Sequence, residues 1–338
     1  MRRLRPVLLL VLVAVPAAPA VAQTPPPAAP VKAKIALDLQ KVGFVDRAVA
    51  FTGKAFRVRG TVTPFVAGQR VRIRLYRGKN VLVEKTKAIR PSESGDVGLF
   101  VADLKSRFSG RMRVGVTHVA TDAMGYSHRR SPAVSVIGRT IAPGQSGHSV
   151  KVVQGLLRDK GYVVGRFGLF DARTARAVHA FRKMTSMART YDANMPMLRR
   201  LVDGGGRFAV RYPNKGRHVE ADLTHQVLAL IDGRKVLRLY PTSSGTAATP
   251  TVLGSWRVYR KDLGTNSLGM VHSSYFIRGY AIHGFASVPA YPASHGCLRV
   301  PVPDAYSIFR WVQTSDWVST YYRDSKPRSV KVRADAGP

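Results

Sequence analysis

From about residue 33 to 138, apolar and polar positions alternate in short runs: Phe56-Arg57-Val58-Arg59-Gly60-Thr61-Val62, Val71-Arg72-Ile73-Arg74-Leu75-Tyr76, Met112-Arg113-Val114-Gly115-Val116-Thr117 and Ala133 to Ile137. Turn formers at Gly68, Gly78-Lys79-Asn80 and Ser94-Gly95-Asp96 separate them. A period of two between turns predicts an antiparallel β-sandwich with one buried face per strand. From about 141 to 203 the period lengthens. Val150, Val153, Leu156 and Leu157 recur at helical spacing, and Gly161 stops that helix. Asp171 can cap a second helix carrying Ala177, Val178 and Phe181, and Leu198 with Leu201 suggests a short third. Gly204-Gly205-Gly206 reads as a hinge. From 207 to 323 strands return: His218 to Leu223, Gln226 to Ile231, a hairpin at Asp232-Gly233 leading into Val236 to Tyr240, then Trp256 to Tyr259, Tyr275 to Ile277 and Trp317 to Tyr322. One helix interrupts them, with Asp304 as its expected cap. Residues 324–338 read as a loose tail.

The first 22 residues alter where this architecture is expected to work. Arg2, Arg3 and Arg5 precede the uncharged apolar run Val7 to Val15, and Ala20-Val21-Ala22 offers a small-x-small cleavage pattern, so 1–22 reads as an export signal. The run is too short to span a bilayer, and membrane contact is expected only through that segment if uncleaved. Residues 23–32, rich in proline, read as an extended linker. Lys+Arg number 54 against 19 Asp+Glu, a formal charge of +35, which falls to +32 without the three arginines of the signal. Such a chain associates with polyanions. An exported protein meets little nucleic acid, and no nucleic-acid recognition motif is present. Anionic cell-wall polymers and phospholipid head groups are the expected partners.

The candidate chemistry centres on the one cysteine, Cys297, in Ser294-His295-Gly296-Cys297-Leu298-Arg299. A single thiol closes no internal disulfide, and an odd cysteine in an exported chain points to reactivity. A cysteine nucleophile needs a base to form its thiolate and donors for an oxyanion. His283 and His295 are both candidates for the base. His295, two residues from the thiol, is held apart by extended backbone, whereas His283 arrives from another segment. We therefore assign His283 as base and later general acid, and His295 as a supporting residue. Gly296 permits a sharp turn, and its N–H with that of Cys297 is the expected oxyanion hole. A backbone carbonyl from Gly284 or Ser294 is expected to orient the imidazole. Ser294 is expected to align His283 or the oxyanion loop. The nine histidines show no metal-ligand spacing, and no phosphate loop is present, so neither metal nor cofactor is expected.

Three resemblances follow from these residues. The 33–138 pattern resembles immunoglobulin-like spacer domains of bacterial surface proteins. Residues 141–203 resemble the three-helix peptidoglycan-binding domain through Gly147-His148-Ser149-Val150, Val153 to Leu157, Gly161-Tyr162, Gly165, Gly168, Thr174 and Ala177 to Phe181. They depart from it at Phe167-Gly168 and Asp171. Residues 207–323 resemble the YkuD-like L,D-transpeptidase catalytic domain through His283-Gly284, Ser294 to Arg299, Ser243-Ser244-Gly245, Thr249-Pro250 with Gly254, and Tyr291-Pro292-Ala293. Val252 stands where that family has a proline. The fold class expected is thus multidomain and mainly β: an Ig-like β-sandwich, a small three-helix domain and a mostly-β catalytic domain.

The last resemblance implies a substrate, the peptidoglycan stem peptide. Cys297 would attack the carbonyl of its third residue and release the terminal D-alanine. The thioester would then pass to the side-chain amine of another stem, giving a third-to-third-residue crosslink. Arg299, Tyr275, Tyr280 and His272 are the candidate substrate-binding residues, Arg299 for loop carbonyls or a stem carboxylate. Two alternatives stand beside this reading: an L,D-carboxypeptidase, in which water is the acceptor, and a non-catalytic wall-binding protein. The localisation implied is the cell wall or an equivalent space outside the cytoplasmic membrane.

Overall fold

The computed structural model describes residues 30–39, 48–122 and 124–323. The expected signal segment, the first residues of the linker and the tail lie outside them. Twelve strands precede the first helix among the described residues: β1 (Val31–Lys32), β2 (Lys34–Leu39), β3 (Ala48–Phe51), β4 (Ala55–Thr63), β5 (Arg70–Arg77), β6 (Asn80–Ala88), β7 (Arg90–Pro91), β8 (Gly98–Lys105), β9 (Gly110–His118), β10 (Met124–Gly125), β11 (Ser127–Arg130) and β12 (Val134–Ile137). One sheet runs β3-β12-β9-β5-β6, with β11 also on β9; a second runs β2-β4-β8-β7. Val58, Val71, Ile73, Leu75, Leu104, Val114 and Val116 pack between them, and the arginines that alternate with them face outward. Two pairings depart from the antiparallel expectation. β12 runs parallel to β3, and β1 runs parallel to β10. The end of the expected linker, Val31–Lys32, is therefore paired strand.

Three helices follow, α1 (His148–Arg158), α2 (Ala172–Met184) and α3 (Met195–Val202). Asp171 caps α2 by accepting from the Thr174 N–H, and Asn194 caps α3 through Met197. Gly161 adopts φ +91° beyond α1, a conformation that favours glycine.

The remaining strands are β13 (Arg217–Asp222), β14 (Val227–Asp232), β15 (Lys235–Pro241), β16 (Gly254–Arg257), β17 (Arg260–Thr265), β18 (Val271–Ile277), β19 (Tyr280–Phe285), β20 (Leu298–Pro301) and β21 (Trp317–Tyr321), with α4 (Val302–Trp311) after β20. They form a five-stranded sheet, β15-β14-β13-β21-β16, and a four-stranded sheet, β17-β18-β19-β20. Helix α4 starts at Val302 behind Pro301, which corrects the expectation of Asp304 as its cap. Proline in the first turn suits a helix start. Asp304 sits inside that turn, buried, and pairs with Arg173 and Arg176 of α2.

Both faces of the five-stranded sheet are covered. Val219, Ala221, Leu228, Leu230, Tyr240 and Val318 join a core with β19, β20 and α4. Val227, Ala229, Ile231, Leu239 and Tyr321 join the core of the three helices, together with Val49, Phe51 and Ile137 of the sandwich. That shared core corrects the reading of Gly204 to Gly206 as a hinge. Gly205 donates to the Arg200 carbonyl, and the Gly206 carbonyl accepts from the Tyr162 hydroxyl at 2.6 Å. The glycines pass through a packed junction.

Candidate active site

The site grows from one parallel strand pair. β19 and β20 align with Ile282 opposite Leu298 and His283 opposite Arg299. A parallel pair needs a crossover of about a dozen residues. Here the crossover is loop, and its last residues are Ser294 to Cys297. Cys297 therefore enters the sheet directly before β20, beside the strand that carries His283.

The loop is fastened from below. After β15 the chain passes through Ser243, Ser244 and Gly245, which pair with Arg299 and Ser294. The Thr242 hydroxyl donates to the Arg299 carbonyl at 2.7 Å, and the Ser244 carbonyl accepts from the N–H groups of Ala293 and Ser294. Thr251 Oγ1 accepts from the Gly245 N–H and donates to the Gly296 carbonyl at 2.7 Å. Gly245 lies flat on this turn. A Cβ there would stand 2.8 Å from Gly296 Cα.

Gly296 has φ +114°, and a Cβ on it would overlap the Tyr280 ring. Glycine is thus required for both the turn and the close packing. The Ser294 hydroxyl, buried, donates to the Cys297 carbonyl at 2.6 Å and accepts from the Gly296 N–H at 3.0 Å. Of the two roles expected of Ser294, these contacts fall on the loop: it braces the nucleophile turn and makes no hydrogen bond to His283 among the described residues. Gly296 N–H is committed within the turn, so it is not a free oxyanion donor. The Cys297 N–H has no turn or side-chain partner among the described residues.

The thiol is partly buried against Met270, Tyr275 and Ala281. Its Sγ lies 3.6 Å from the Gly279 carbonyl. Burial pushes its pKa up, while the Ala281 N–H and, more weakly, Arg299 pull the other way. His283 is buried, and its Nδ1 lies 3.0 Å from the Gly284 carbonyl. A carbonyl only accepts, so Nδ1 carries the hydrogen and Nε2 holds the lone pair. Burial lowers the imidazole pKa and Arg299 adds to this, with the Gly284 bond opposing. Both shifts favour the uncharged forms of thiol and imidazole.

Phe285 stands edge-on to His283, 5.8 Å between ring centres, and the Arg299 guanidinium lies 4.1 Å over the same ring. Arg299 has no carboxylate partner among the described residues, so its charge is available beside the thiol. His295 is exposed on the same turn. Tyr275 is buried under the thiol with Arg260 stacked on it at 4.1 Å, and it is a wall of the thiol pocket. His272 is placed elsewhere. It has φ +53°, its Nδ1 accepts from the Gly264 N–H, and its ring packs on Tyr306 and Phe309 of α4. No hydrogen bond or ring contact joins it to Cys297 among the described residues.

Several contributors carried no motif of their own. Gln226, buried at φ +55°, exchanges amide hydrogen bonds with Ser244. Lys183 of α2 is buried and points its ammonium at the carbonyls of Thr242 (2.9 Å), Gln226 (3.3 Å) and Pro289 (3.5 Å). A lysine on an apolar helix face was the available signal. Among the described residues no group of three or more His, Cys, Asp or Glu is arranged to hold a metal ion. No helix among them is long and apolar enough to cross a membrane.

A family model described as the L,D-transpeptidase catalytic domain, YkuD, matches residues 216–320. Among solved structures, an L,D-transpeptidase from Xylanimonas cellulosilytica is 30% identical, with 54% of this chain and 98% of that one covered and a TM-score of 0.51. The catalytic domain of an Enterococcus faecium L,D-transpeptidase is 23% identical over 32% of this chain and 98% of its own, with a TM-score of 0.29. An L,D-transpeptidase from Mycobacterium smegmatis is 13% identical over 87% and 100%, also at 0.29. No curated protein matches. The family match falls on the strands that carry His283 and Cys297, and the Xylanimonas chain is matched over nearly its whole length: the chain belongs to the L,D-transpeptidase family with the YkuD catalytic domain.

Proposed function

We propose that this protein is an exported peptidoglycan L,D-transpeptidase that works through a thioester on Cys297. The observation that carries the reading is the 3.0 Å approach of His283 Nδ1 to the Gly284 carbonyl. With Nδ1–H held by the Gly284 carbonyl, Nε2 is the one ring atom able to take a proton, and it belongs to the strand beside Cys297.

In the first half-reaction His283 Nε2 accepts the thiol proton as Sγ bonds to the carbonyl carbon of the third stem residue. The oxyanion takes a hydrogen bond from the Cys297 N–H. The C–N bond to the terminal D-alanine then breaks, and the imidazolium returns its proton to the departing amine. A thioester remains. In the second half, the side-chain amine of another stem's third residue attacks the thioester. His283 takes the amine proton and passes it to the departing sulfur. Ala281 N–H and Arg299 are poised to stabilise negative charge at Sγ, and Arg299 is read as the receptor for a stem carboxylate. Tyr280, fixed on Gly296, is read as a wall of the donor groove.

The helical unit is read as a peptidoglycan-binding module and the basic surface as a tether to anionic wall polymers, which together raise substrate concentration at the site. Purified tetrapeptide muropeptides incubated with the protein and analysed by mass spectrometry test the assignment. Crosslinked dimers that vanish in Cys297→Ala are the expected result. Tripeptide alone would identify water as the acceptor and replace this reading by the carboxypeptidase. No Cys297-dependent product from a folded protein would leave the wall-binding role.

A further inference from the structure

The outer face of the sandwich sheet carries a second feature, remote in sequence from the thiol. Tyr76, Gly78, Arg111, Arg113 and Arg130, over the buried Met112, line a cavity of about 220 Å³. The strand registers explain how it arises. Arg111 and Arg113 alternate outward on β9. Tyr76 of β5 lies opposite Arg113, and Arg130 of β11 lies opposite Gly115. At Gly115 the Tyr76 ring lies close against the backbone, a packing that needs glycine. A Cβ there would stand 2.7 Å from the Tyr76 ring and 3.1 Å from His128. Arg130 is stacked 5.7 Å over Tyr76.

The charges on this face are unequally satisfied. Arg72 and Arg74 share Glu84. Arg111, Arg113 and Arg130 meet no carboxylate within ion-pair distance among the described residues. The surplus is felt locally. Burial first, then Arg130 and Arg74, lower the pKa of His128, and Arg111 contributes to the same effect on His148.

We propose that this cavity is an anion-binding site for a phosphodiester polymer. Three arginines line one small concavity, and guanidinium groups suit bidentate recognition of phosphate. Arg70 extends the charge along β5, and Arg72 with Arg74 adds one net charge beyond the Glu84 they share, at every second residue, a spacing of roughly 6.6 Å, which suits a repeating anion better than an isolated one. Among the lining residues Tyr76 is capped by Arg130 and Met112 is buried, so no exposed aliphatic side chain is offered to a bilayer. The identity of the polymer as a wall component rests on the proposed function, whereas the chemistry of the site does not.

The test uses the full chain and labelled long-chain inorganic polyphosphate at physiological ionic strength, with phosphatidylglycerol vesicles as a second arm. Arg111→Gln/Arg113→Gln/Arg130→Gln should weaken polyphosphate binding about tenfold or more, and the equally charged control Arg207→Gln/Arg234→Gln/Lys235→Gln less than about twofold. Equal losses in the two variants would reduce the site to bulk charge and overturn it. Binding to vesicles without binding to polyphosphate would make the surface a lipid contact and overturn it as well. An NMR titration of His128 in the unmutated protein needs no variant to fold. Polyphosphate should raise its pKa, and an unmoved His128 would refute occupancy of the cavity. Turnover of soluble muropeptides should be unchanged in both variants, so failure here and failure of the catalytic reading remain separable.

Discussion

At the scale of single residues, two pKa shifts of opposite sign set how the nucleophile is used. Burial raises Cys297 and lowers His283, so both resist the charged pair that a resting thiolate–imidazolium would require. Burial holds the thiol above its ordinary range in the free enzyme, and in the proposed reaction His283 takes its proton as sulfur attacks the bound carbonyl. Alkylation of the free enzyme by iodoacetamide should therefore keep rising with pH beyond about 8. A rate plateau between roughly pH 5 and 7 would show a preformed ion pair and contradict this. The sequence made Cys297, His283 and the need for Gly296 legible, because a lone thiol, a distant histidine and an adjacent glycine each have few chemical uses. It did not reveal that Ser294 spends the Gly296 N–H inside the turn. That bond depends on a loop conformation fixed by Thr251 and Gly245 from another segment.

At the scale of elements, periodicity and turn signals reported the longer strands at the centre of each sheet and all four α-helices among the described residues, while tertiary contact decided the rest. β14 is buried on both faces, so its apolar run named a strand but carried no alternation to say that both faces are covered. α4 begins ahead of Asp304 because Pro301, Val302 and Pro303 start it, leaving the carboxylate free to pair with Arg173 and Arg176 across the junction to α2. Lys183 is the clearest case of a contact hidden from sequence. Burial, with Arg189 adding, lowers its pKa to about 7, and its three carbonyl partners lie in or next to the segment that fastens the nucleophile loop. Below about pH 7 the lysine is charged in both the folded and unfolded chain. Above that the folded protein releases a proton that the unfolded chain keeps, so folded stability gains with pH up to the ordinary lysine range. Measured by denaturant unfolding against Lys183→Met, the unmutated protein should gain about 1–3 kcal/mol across this window, less than burial alone implies because the carbonyls favour the ammonium. A difference independent of pH would contradict the assignment.

At the scale of the whole molecule, the helices and the catalytic sheet share one core, although the triglycine between them reads in sequence as a boundary. Composition could not show this, since the apolar residues that join the two, such as Phe181, Val227 and Leu239, look like the ordinary cores of separate units. Removing residues 30–138 should leave turnover of soluble muropeptides within about twofold, because the sandwich adds only its edge to that core. Removing residues 30–203 should expose Val227, Ala229, Ile231 and Leu239 and give an insoluble product, checked by solubility and circular dichroism. A soluble, active remnant would return the helices to the status of an independent module. The account as a whole stands on acyl transfer through Cys297. The most direct measurement is intact-protein mass spectrometry after acid quench of the enzyme with a tetrapeptide stem and no acceptor amine. The account predicts a mass gain equal to the donor less D-alanine, located on the peptide that contains Cys297 and absent from Cys297→Ala. Product formed with no adduct on that peptide, or formed equally by the alanine variant, would contradict it.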